Sequence, residues 1–293
     1  MGALEGRVTV ITGAGRGIGR EHALLFAREG AKVVVNDLGG AGDGTGSDAS
    51  AAQAVVDEII AAGGEAVANT DDIADFAGAG RLIAQAIDTY GRLDVLVNNA
   101  GILRDAFLHK MTEEEWDLVV HVHLKGHWST LRHATDHWRE RSKAGEDVKA
   151  AVINTASGSG TTMPNPGQGN YGAAKAGIAA LTLVAALELG RLGVRANVIA
   201  PAARTRLTID VPQIGEMVAA PSDPDAFDPF HPSEISPLVA WLATEDCPVT
   251  GKMFSVYGGQ IAECRGWEEV DPITTDQPWT IDAIAEQLGG ARV

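Results

Sequence analysis

Short apolar runs alternate with longer amphipathic stretches along nearly the whole chain. The first run, Val8-Thr9-Val10-Ile11, ends at Thr12 and Gly13, and a helical pattern then carries Leu24, Leu25 and Phe26. A second run, Val33-Val34-Val35, ends in Asn36-Asp37. Beyond a glycine-rich segment from Leu38 to Ser47, the stripe Val55, Val56, Ile59 and Ile60 predicts a helix over Ala49–Ala62, stopped by Gly63-Gly64. Ala66-Val67-Ala68 reads as a third strand, leading to Asp71-Asp72-Ile73, and Leu82, Ile83, Ala86 and Ile87 mark the next helix. Leu93–Val97 is a fourth strand, ending in Asn98-Asn99-Ala100-Gly101. Trp116, Val119, Val120, Leu124 and Trp128 mark one long helical region from Glu113 to Arg141. Ala150–Asn154 forms a fifth strand and Thr155–Thr162 a polar turn, and a helix from about Gly169 runs to Leu192. Val194–Ile199 and Lys252–Val256 complete the set as sixth and seventh strands. Strands alternating with helices over this length predict an α/β fold: one doubly wound parallel sheet (Rossmann-type), a single domain over 1–293. The glycine-rich segment then reads as a surface loop near one end of a ligand, not as a linker between domains.

Composition narrows the function classes. Lys and Arg number 23 against 39 Asp and Glu, a net charge of −16, which argues against nucleic acid or an anionic membrane surface as partner. The only cysteines, Cys247 and Cys264, are too few for a disulfide framework and suit a reducing compartment. The amino terminus has no apolar signal core, and no apolar run is expected to approach a membrane span, so the protein is expected in the cytoplasm. No metal site is expected.

Strand, glycine turn, helix, strand over Val8–Asp37 is the unit that binds a dinucleotide. Gly13, Gly17 and Gly19 allow a sharp turn and a close approach to a pyrophosphate, which the N–H groups and dipole of the following helix attract. The spacing, Gly-x-x-x-Gly-x-Gly, departs from the commoner Gly-x-Gly-x-x-Gly. Tyr171 and Lys175 stand at i and i+4 on one helix face. A phenol titrates near pH 10, so the expectation is that the lysine ammonium, with a positively charged nicotinamide ring beyond it, lowers that value and lets Tyr171 take the proton from an alcohol. Ser157, past the fifth strand, can hydrogen-bond the substrate oxygen.

From Glu5 to about Gly259 these residues together resemble the short-chain dehydrogenases/reductases. The resemblance rests on Thr12-Gly13-Ala14-Gly15-Arg16-Gly17-Ile18-Gly19, Asn98-Asn99-Ala100-Gly101, Ser157, Tyr171-Gly172-Ala173-Ala174-Lys175 and Val249-Thr250-Gly251. It implies a nicotinamide cofactor touched by Thr12, Gly13, Arg16, Gly17, Ile18, Gly19, Asp37, Leu38, Asp72, Ile73, Asn99, Ala100, Gly101, Tyr171, Lys175, Pro201, Ala203 and Thr205, with Ser157, Tyr171, Lys175 and His123 as the catalytic set. The family usually has Asn where this chain reads Val122-His123-Leu124-Lys125-Gly126, so His123 either carries the proton relay through a ring nitrogen or packs a helix. Pro201-Ala202 replaces the usual Pro-Gly, which alters the contact expected there. The catalytic serine usually lies thirteen residues before the tyrosine; Ser157 lies fourteen before and Ser159 twelve, and the end of the fifth strand favours Ser157.

Within the family, Val33–Gly40, Gly101-Ile102-Leu103-Arg104-Asp105 and the histidine of Val-His-Leu-x-Gly resemble the (3R)-hydroxyacyl-CoA dehydrogenase domain of multifunctional enzyme type 2 and its bacterial relatives. The resemblance implies a 3-hydroxyacyl-CoA substrate with a fatty or steroid side chain. The alternatives are a 17β-type hydroxysteroid dehydrogenase, a 3-oxoacyl thioester reductase running the same chemistry backwards, and a silent dinucleotide-binding protein. Asp37, at the end of the second strand, can hold the ribose hydroxyls and repel a 2′-phosphate, whereas Arg16 points towards NADP; NAD is expected. Proline density at Pro212, Pro221, Pro224, Pro229 and Pro232 suggests a lid over about 204–232, followed by an extension over about 260–293. Arg204, Arg206 or Arg104 is expected to attract CoA phosphates, unless paired with a carboxylate such as Asp210. A homodimer or homotetramer through the Glu113–Arg141 and Gly169–Leu192 helices is expected.

Overall fold

The computed structural model describes all residues except Met1, Asp210, Pro212, Gln213, Pro224, Asp225, Gly258, Trp267, Val270 and 289–293. Its strands are β1 (Val8–Thr12), β2 (Lys32–Asn36), β3 (Glu65–Asn69), β4 (Val95–Asn98), β5 (Ala150–Thr155), β6 (Val194–Pro201), β7 (Met253–Tyr257) and β8 (Gln260–Cys264). They form one sheet in the order β3-β2-β1-β4-β5-β6-β7-β8. Every pairing is parallel except β7 with β8, which is antiparallel from Met253↔Cys264 to Tyr257↔Gln260. The expected all-parallel, seven-stranded sheet is corrected on that edge.

The helices are α1 (Gly17–Arg28), α2 (Ser50–Ala61), α3 (Phe76–Tyr90), α4 (Glu113–Val120), α5 (Gly126–Lys143), α6 (Gly169–Leu189), α7 (Ile214–Met217), α8 (Ser236–Ala243) and α9 (Ile281–Leu288). β1, β2, β4, β5 and β6 are buried almost end to end because helices cover both faces, while β3 at the edge is partly exposed. One core joins Phe26, Val33, Val35, Ile59, Ile153 and Leu242, beneath α1, α2 and α8. The other joins Val10, Leu82, Leu96, Leu131, Trp138 and Leu189, beneath α3, α5 and α6. Trp138 is fully buried and its Nε1 donates to Leu93 O at 2.8 Å, so the ring brings no unpaired donor into the core.

Two helix expectations change. The single helix over Glu113–Arg141 is broken by a wide π-turn at His121–Lys125, which separates α4 from α5 and turns His123 inward. α4 itself starts on a reciprocal cap between Thr112 and Glu115. Second, Gly169–Leu192 is a 24-residue stretch long and apolar enough to cross a membrane, with mean hydropathy 1.5, contrary to the sequence expectation; here it packs against β5 and β6.

The order in which strands are laid down reverses between β1 and β4, which run parallel: β2 and β3 lie on one side of β1, and β4 to β8 on the other. In such sheets the crevice beyond the carboxyl ends of β1 and β4 is where a ligand can lie.

Candidate active site

That crevice is a cleft of about 310 Å³. Its floor is the β1–α1 turn, where Gly13 has φ +63° and a Cβ would come 2.7 Å from Ala100 Cα, so only glycine fits. Gly17, with φ +54°, opens α1, and the Arg16 side chain does not cap the first turn. Asp37 at the end of β2 accepts from Gly15 N (2.8 Å) and from Gly39 N (2.6 Å), which fixes its carboxylate on the cleft wall. A backbone cradle ending at a helix N-terminus, with an acid one strand away, fits the pyrophosphate and ribose of a nicotinamide dinucleotide.

Of the residues expected to touch a cofactor, Gly13, Arg16, Gly17, Ile18, Asp37, Leu38, Asp72, Ile73, Asn99, Ala100, Gly101, Tyr171, Lys175, Pro201, Ala203 and Thr205 line the cleft, and so does His123. Thr12 and Gly19 stand behind the wall. Thr12 Oγ1 accepts from Asn99 N (3.0 Å) and Ala100 N (3.1 Å), holding that turn against β1. A Cβ on Gly19 would strike Gly13 O at 2.2 Å, so this glycine lets α1 seat against the turn.

At the far end, α6 presents Tyr171 and Lys175. Lys175 is 2 % exposed, and its Nζ donates to Thr155 O at 2.6 Å. Burial pushes its ammonium down to about 7. Lys175 Nζ sits 5.5 Å from the Tyr171 ring centroid. Burial pushes the Tyr171 phenol up; a hydrogen bond from Ser157 opposes this, and the negative charge of Asp105 adds to it. In the protein alone desolvation leads, and the serine is what pulls the other way. Ser159 Oγ turns to Gln168 Oε1 at 2.8 Å, while Ser157 Oγ accepts from Ser159 N at 3.2 Å. The His123 ring meets that of Tyr171 edge-on with centroids 5.1 Å apart. Its Nε2 is anchored at Ile102, 2.8 Å from the carbonyl oxygen and 3.1 Å from the amide nitrogen, while Nδ1 is buried with no partner. A Cβ on Gly101 would lie 2.3 Å from His123 Cε1, so the glycine makes room for the ring. Burial holds this imidazole well below its ordinary value, hence neutral.

Residues 7–212 match the family model described as short chain dehydrogenase. The chain belongs to the short-chain dehydrogenase family. It is 47% identical over 266 residues to hydroxyacyl-CoA dehydrogenase ChsB1 of Mycobacterium tuberculosis, covering 88% of this chain and 79% of that one. It is 40% identical over 285 residues to peroxisomal multifunctional enzyme type 2 of Mus musculus, covering 96% of this chain but 36% of that much longer protein. The crystal structure of a short chain dehydrogenase from Mycobacterium avium matches all of this chain and 98% of its own, with 50% identity and a TM-score of 0.86.

This dehydrogenase spends the three arginines expected to meet CoA phosphates on its own scaffold. Arg204 makes a two-pronged pair with Asp228 and also donates to Val218 O at 3.1 Å; Asp210, the carboxylate weighed as its partner, lies outside the described residues, as do Pro212 and Pro224. Arg206 Nη1 donates to Gly40 O (3.0 Å) and Arg104 Nε to Asp43 O (2.6 Å). The glycine-rich loop after β2 is thus pinned on both sides, with Gly40, Ala41 and Gly44 lining the cleft. Arg16 turns to the same loop, with Nη2 3.6 Å from Asp48 Oδ2. Sequence reasoning missed Gln168 and Asp105 beside the catalytic pair; the position of Gln168 three residues before Tyr171 was the available signal.

Proposed function

We propose that this chain is an NAD-dependent 3-hydroxyacyl-CoA dehydrogenase, acting on thioesters with a fatty or steroid side chain. The observation that carries the reading is the joint one: the Ser157–Tyr171–Lys175 arrangement at the end of a dinucleotide cleft, in a chain 47% identical to a hydroxyacyl-CoA dehydrogenase over 88% of its length. Asp37 supports NAD, because its fixed carboxylate repels a 2′-phosphate while Arg16 is drawn to Asp48. Exposed apolar side chains at Phe107, Leu108, Met163 and Phe227 support a lipophilic acyl group.

The cofactor, when bound, supplies the hydride acceptor. Ser157 and Tyr171 hold the substrate hydroxyl, and Tyr171 takes its proton as the carbon is oxidised. Lys175, fixed on Thr155 O, is placed to hold the nicotinamide ribose and to pass the proton on. His123, neutral and anchored at Ile102, keeps an unpartnered Nδ1 for that relay. The segment over about 204–232 serves as the lid, and the exposed Trp128, Leu183, Val184 and Leu187 as part of a homodimer or homotetramer interface. A cytoplasmic location belongs to the same reading.

A similarity of 38% over 89% of the chain to 3-oxoacyl-[acyl-carrier-protein] reductase of Synechocystis favours a second reading, thioester reduction by the same residues. The test is a panel of 3-hydroxyacyl-CoA thioesters, 3-oxoacyl thioesters and free hydroxysteroids, each with NAD or NADP, read by nicotinamide absorbance. Oxidation of 3-hydroxyacyl-CoA with NAD at the highest kcat/KM is expected. Turnover of free hydroxysteroids alone would put the steroid alternative in its place.

A further inference from the structure

The segment after β4 and the segment before α6 are sewn together beside the catalytic tyrosine. Ala106 N donates to Gly167 O at 2.9 Å, and Asn170 Nδ2 donates to Arg104 O (2.9 Å) and Glu115 O (3.0 Å). Within that seam lies the Gln168 side chain, in a residue 6 % exposed. Its Nε2 donates to Asp105 Oδ2 at 2.9 Å, and its Oε1 accepts from Ser159 Oγ at 2.8 Å. The Ser159 backbone N–H in turn donates to Ser157 Oγ at 3.2 Å.

We propose that Asp105 is a positioning residue for the reaction: through Gln168 and Ser159 it fixes the loop that holds the Ser157 hydroxyl for Tyr171 and the substrate. This rests on the dehydrogenase reading of the site.

The argument is one of polarity. A carboxylate only accepts hydrogen bonds, whereas a glutamine amide has one accepting and one donating end. Asp105 therefore draws the Gln168 –NH₂ towards itself, and the amide oxygen, which also accepts from Asn165 Nδ2 at 3.4 Å, faces Ser159. The Ser159 hydroxyl must then give its proton to Gln168, which fixes the loop that carries its backbone N–H. That N–H, a donor whichever way the Ser159 hydroxyl points, fills an acceptor position of Ser157 Oγ once the loop is fixed, and the one Ser157 proton is left for Tyr171 in the free enzyme or for the substrate oxygen in the complex. Buried polar chains of this kind keep one direction only if an end is fixed, and Asp105 is that end.

The charge adds a second effect. The groups facing Tyr171 are Lys175 from its own helix, the neutral His123 from the π-turn, the Ser157 hydroxyl and, from the loop after β4, Asp105. Among the described residues Asp105 is the anion that opposes ionisation of the phenol, and burial in turn pushes its own carboxyl up. In the oxidative direction it raises the pH at which Tyr171 becomes a base; in the reductive direction it keeps the proton on Tyr171 for delivery.

Asp105→Asn keeps an acceptor for Gln168 but removes the charge, Asp105→Ala removes both, and Ser159→Ala cuts the chain while leaving the charge. Two readouts apply: the pH profile of kcat/KM for NAD-dependent oxidation of a 3-hydroxyacyl-CoA, and the spectrophotometric titration of phenolate. The second is tractable because the chain has 3 tyrosines, and Tyr171→Phe identifies the band of interest. Asp105→Asn is expected to move both the rising limb and the Tyr171 phenolate transition to lower pH, about two- to fivefold faster at a fixed pH on the limb, as removal of one nearby charge in a partly solvated site gives. Asp105→Ala should show the same movement with a plateau lower by about tenfold, as loss of orientation at a reacting group gives. Ser159→Ala should lower the plateau without moving the phenolate transition. An Asp105→Ala plateau equal to wild type overturns the positioning role, and superposition of Asp105→Asn on wild type in both readouts overturns the effect of the charge. If the wild type turns over no CoA thioester, the substrate reading fails by itself, and the phenolate titration still decides the role of Asp105.

Discussion

Lowering the pH from about 7.5 to about 5 is expected to remove about 4 kcal/mol of folding free energy from this dehydrogenase through two buried histidines alone. His22 on α1 and His127 on α5 are both fully buried, and burial holds each imidazole down to about 3. His22 Nδ1 lies 2.8 Å from Ser236 Oγ, and its Nε2 has no partner among the described residues; the His127 ring faces the backbone of His123 and Asn98, which oppose the effect of burial only in part. In the unfolded chain the same groups titrate near 6.5, so between there and 3 the unfolded state binds more protons than the folded one. Stability is therefore whole above about pH 6.5 and is lost as pH falls below it. At about pH 5 each site costs about 2 kcal/mol on this basis, a large share of a total that for most domains is about 5–15 kcal/mol. His123, also buried and neutral, adds in the same direction.

The assay is guanidinium unfolding at both pH values, at one protein concentration, for wild type, His22→Leu and His127→Leu. Each variant should lose about 2 kcal/mol less than wild type on acidification, because leucine carries no proton to the unfolded state's advantage. The comparison between variants cancels what carboxylates contribute in common. A His127→Leu protein whose loss on acidification matched wild type within about 0.5 kcal/mol would refute the claim that this ring is held neutral by burial.

Lys175 makes a prediction of the same sign in a higher pH window: with its ammonium depressed to about 7 against an ordinary 10.5, stability is lost as pH falls through that range, so Lys175→Met should be more stable than wild type at about pH 6, by up to about 5 kcal/mol, with the gap closing as pH rises towards 10.5 and activity absent throughout. Equal stability of the two proteins at about pH 6 would contradict it. Tyr171→Phe should cut kcat by about a thousandfold while NAD binding, read by fluorescence titration, changes little; a tenth of wild-type activity remaining would show that another group moves the proton. Asp37→Ala should narrow the preference for NAD by about tenfold or more in relative kcat/KM, by loosening NAD and relieving the repulsion of a 2′-phosphate. A wild type that already prefers NADP would show that Arg16 leaves Asp48 to bind the phosphate.

What the sequence showed and what it hid divide along a physical line. Features that depend on one face or one turn were legible: the buried runs at Val33–Val35 and Ala150–Asn154, the glycine turn at Gly13–Gly19, and Tyr171 with Lys175 one helical turn apart. β8 was not legible, because none of its residues is buried and Ile261 is exposed, so no apolar period marks it. The π-turn was hidden for a different reason: the extra residue at His121–Lys125 changes the register of a helix without a change of composition. The Asp105–Gln168 bond joins residues 63 apart in the chain, and its meaning lies in which end of an amide faces which neighbour. Spacing can place a serine near a tyrosine, yet only a closed set of donors and acceptors says where the serine's proton points. The arginines show the converse: Arg204, Arg206 and Arg104 look like anion-binding groups by type, and the structure gives each an acceptor on its own chain. A charged residue in an acidic protein is informative about a ligand only once its internal partners are known, because an internal acceptor lost to a ligand must be compensated by that ligand.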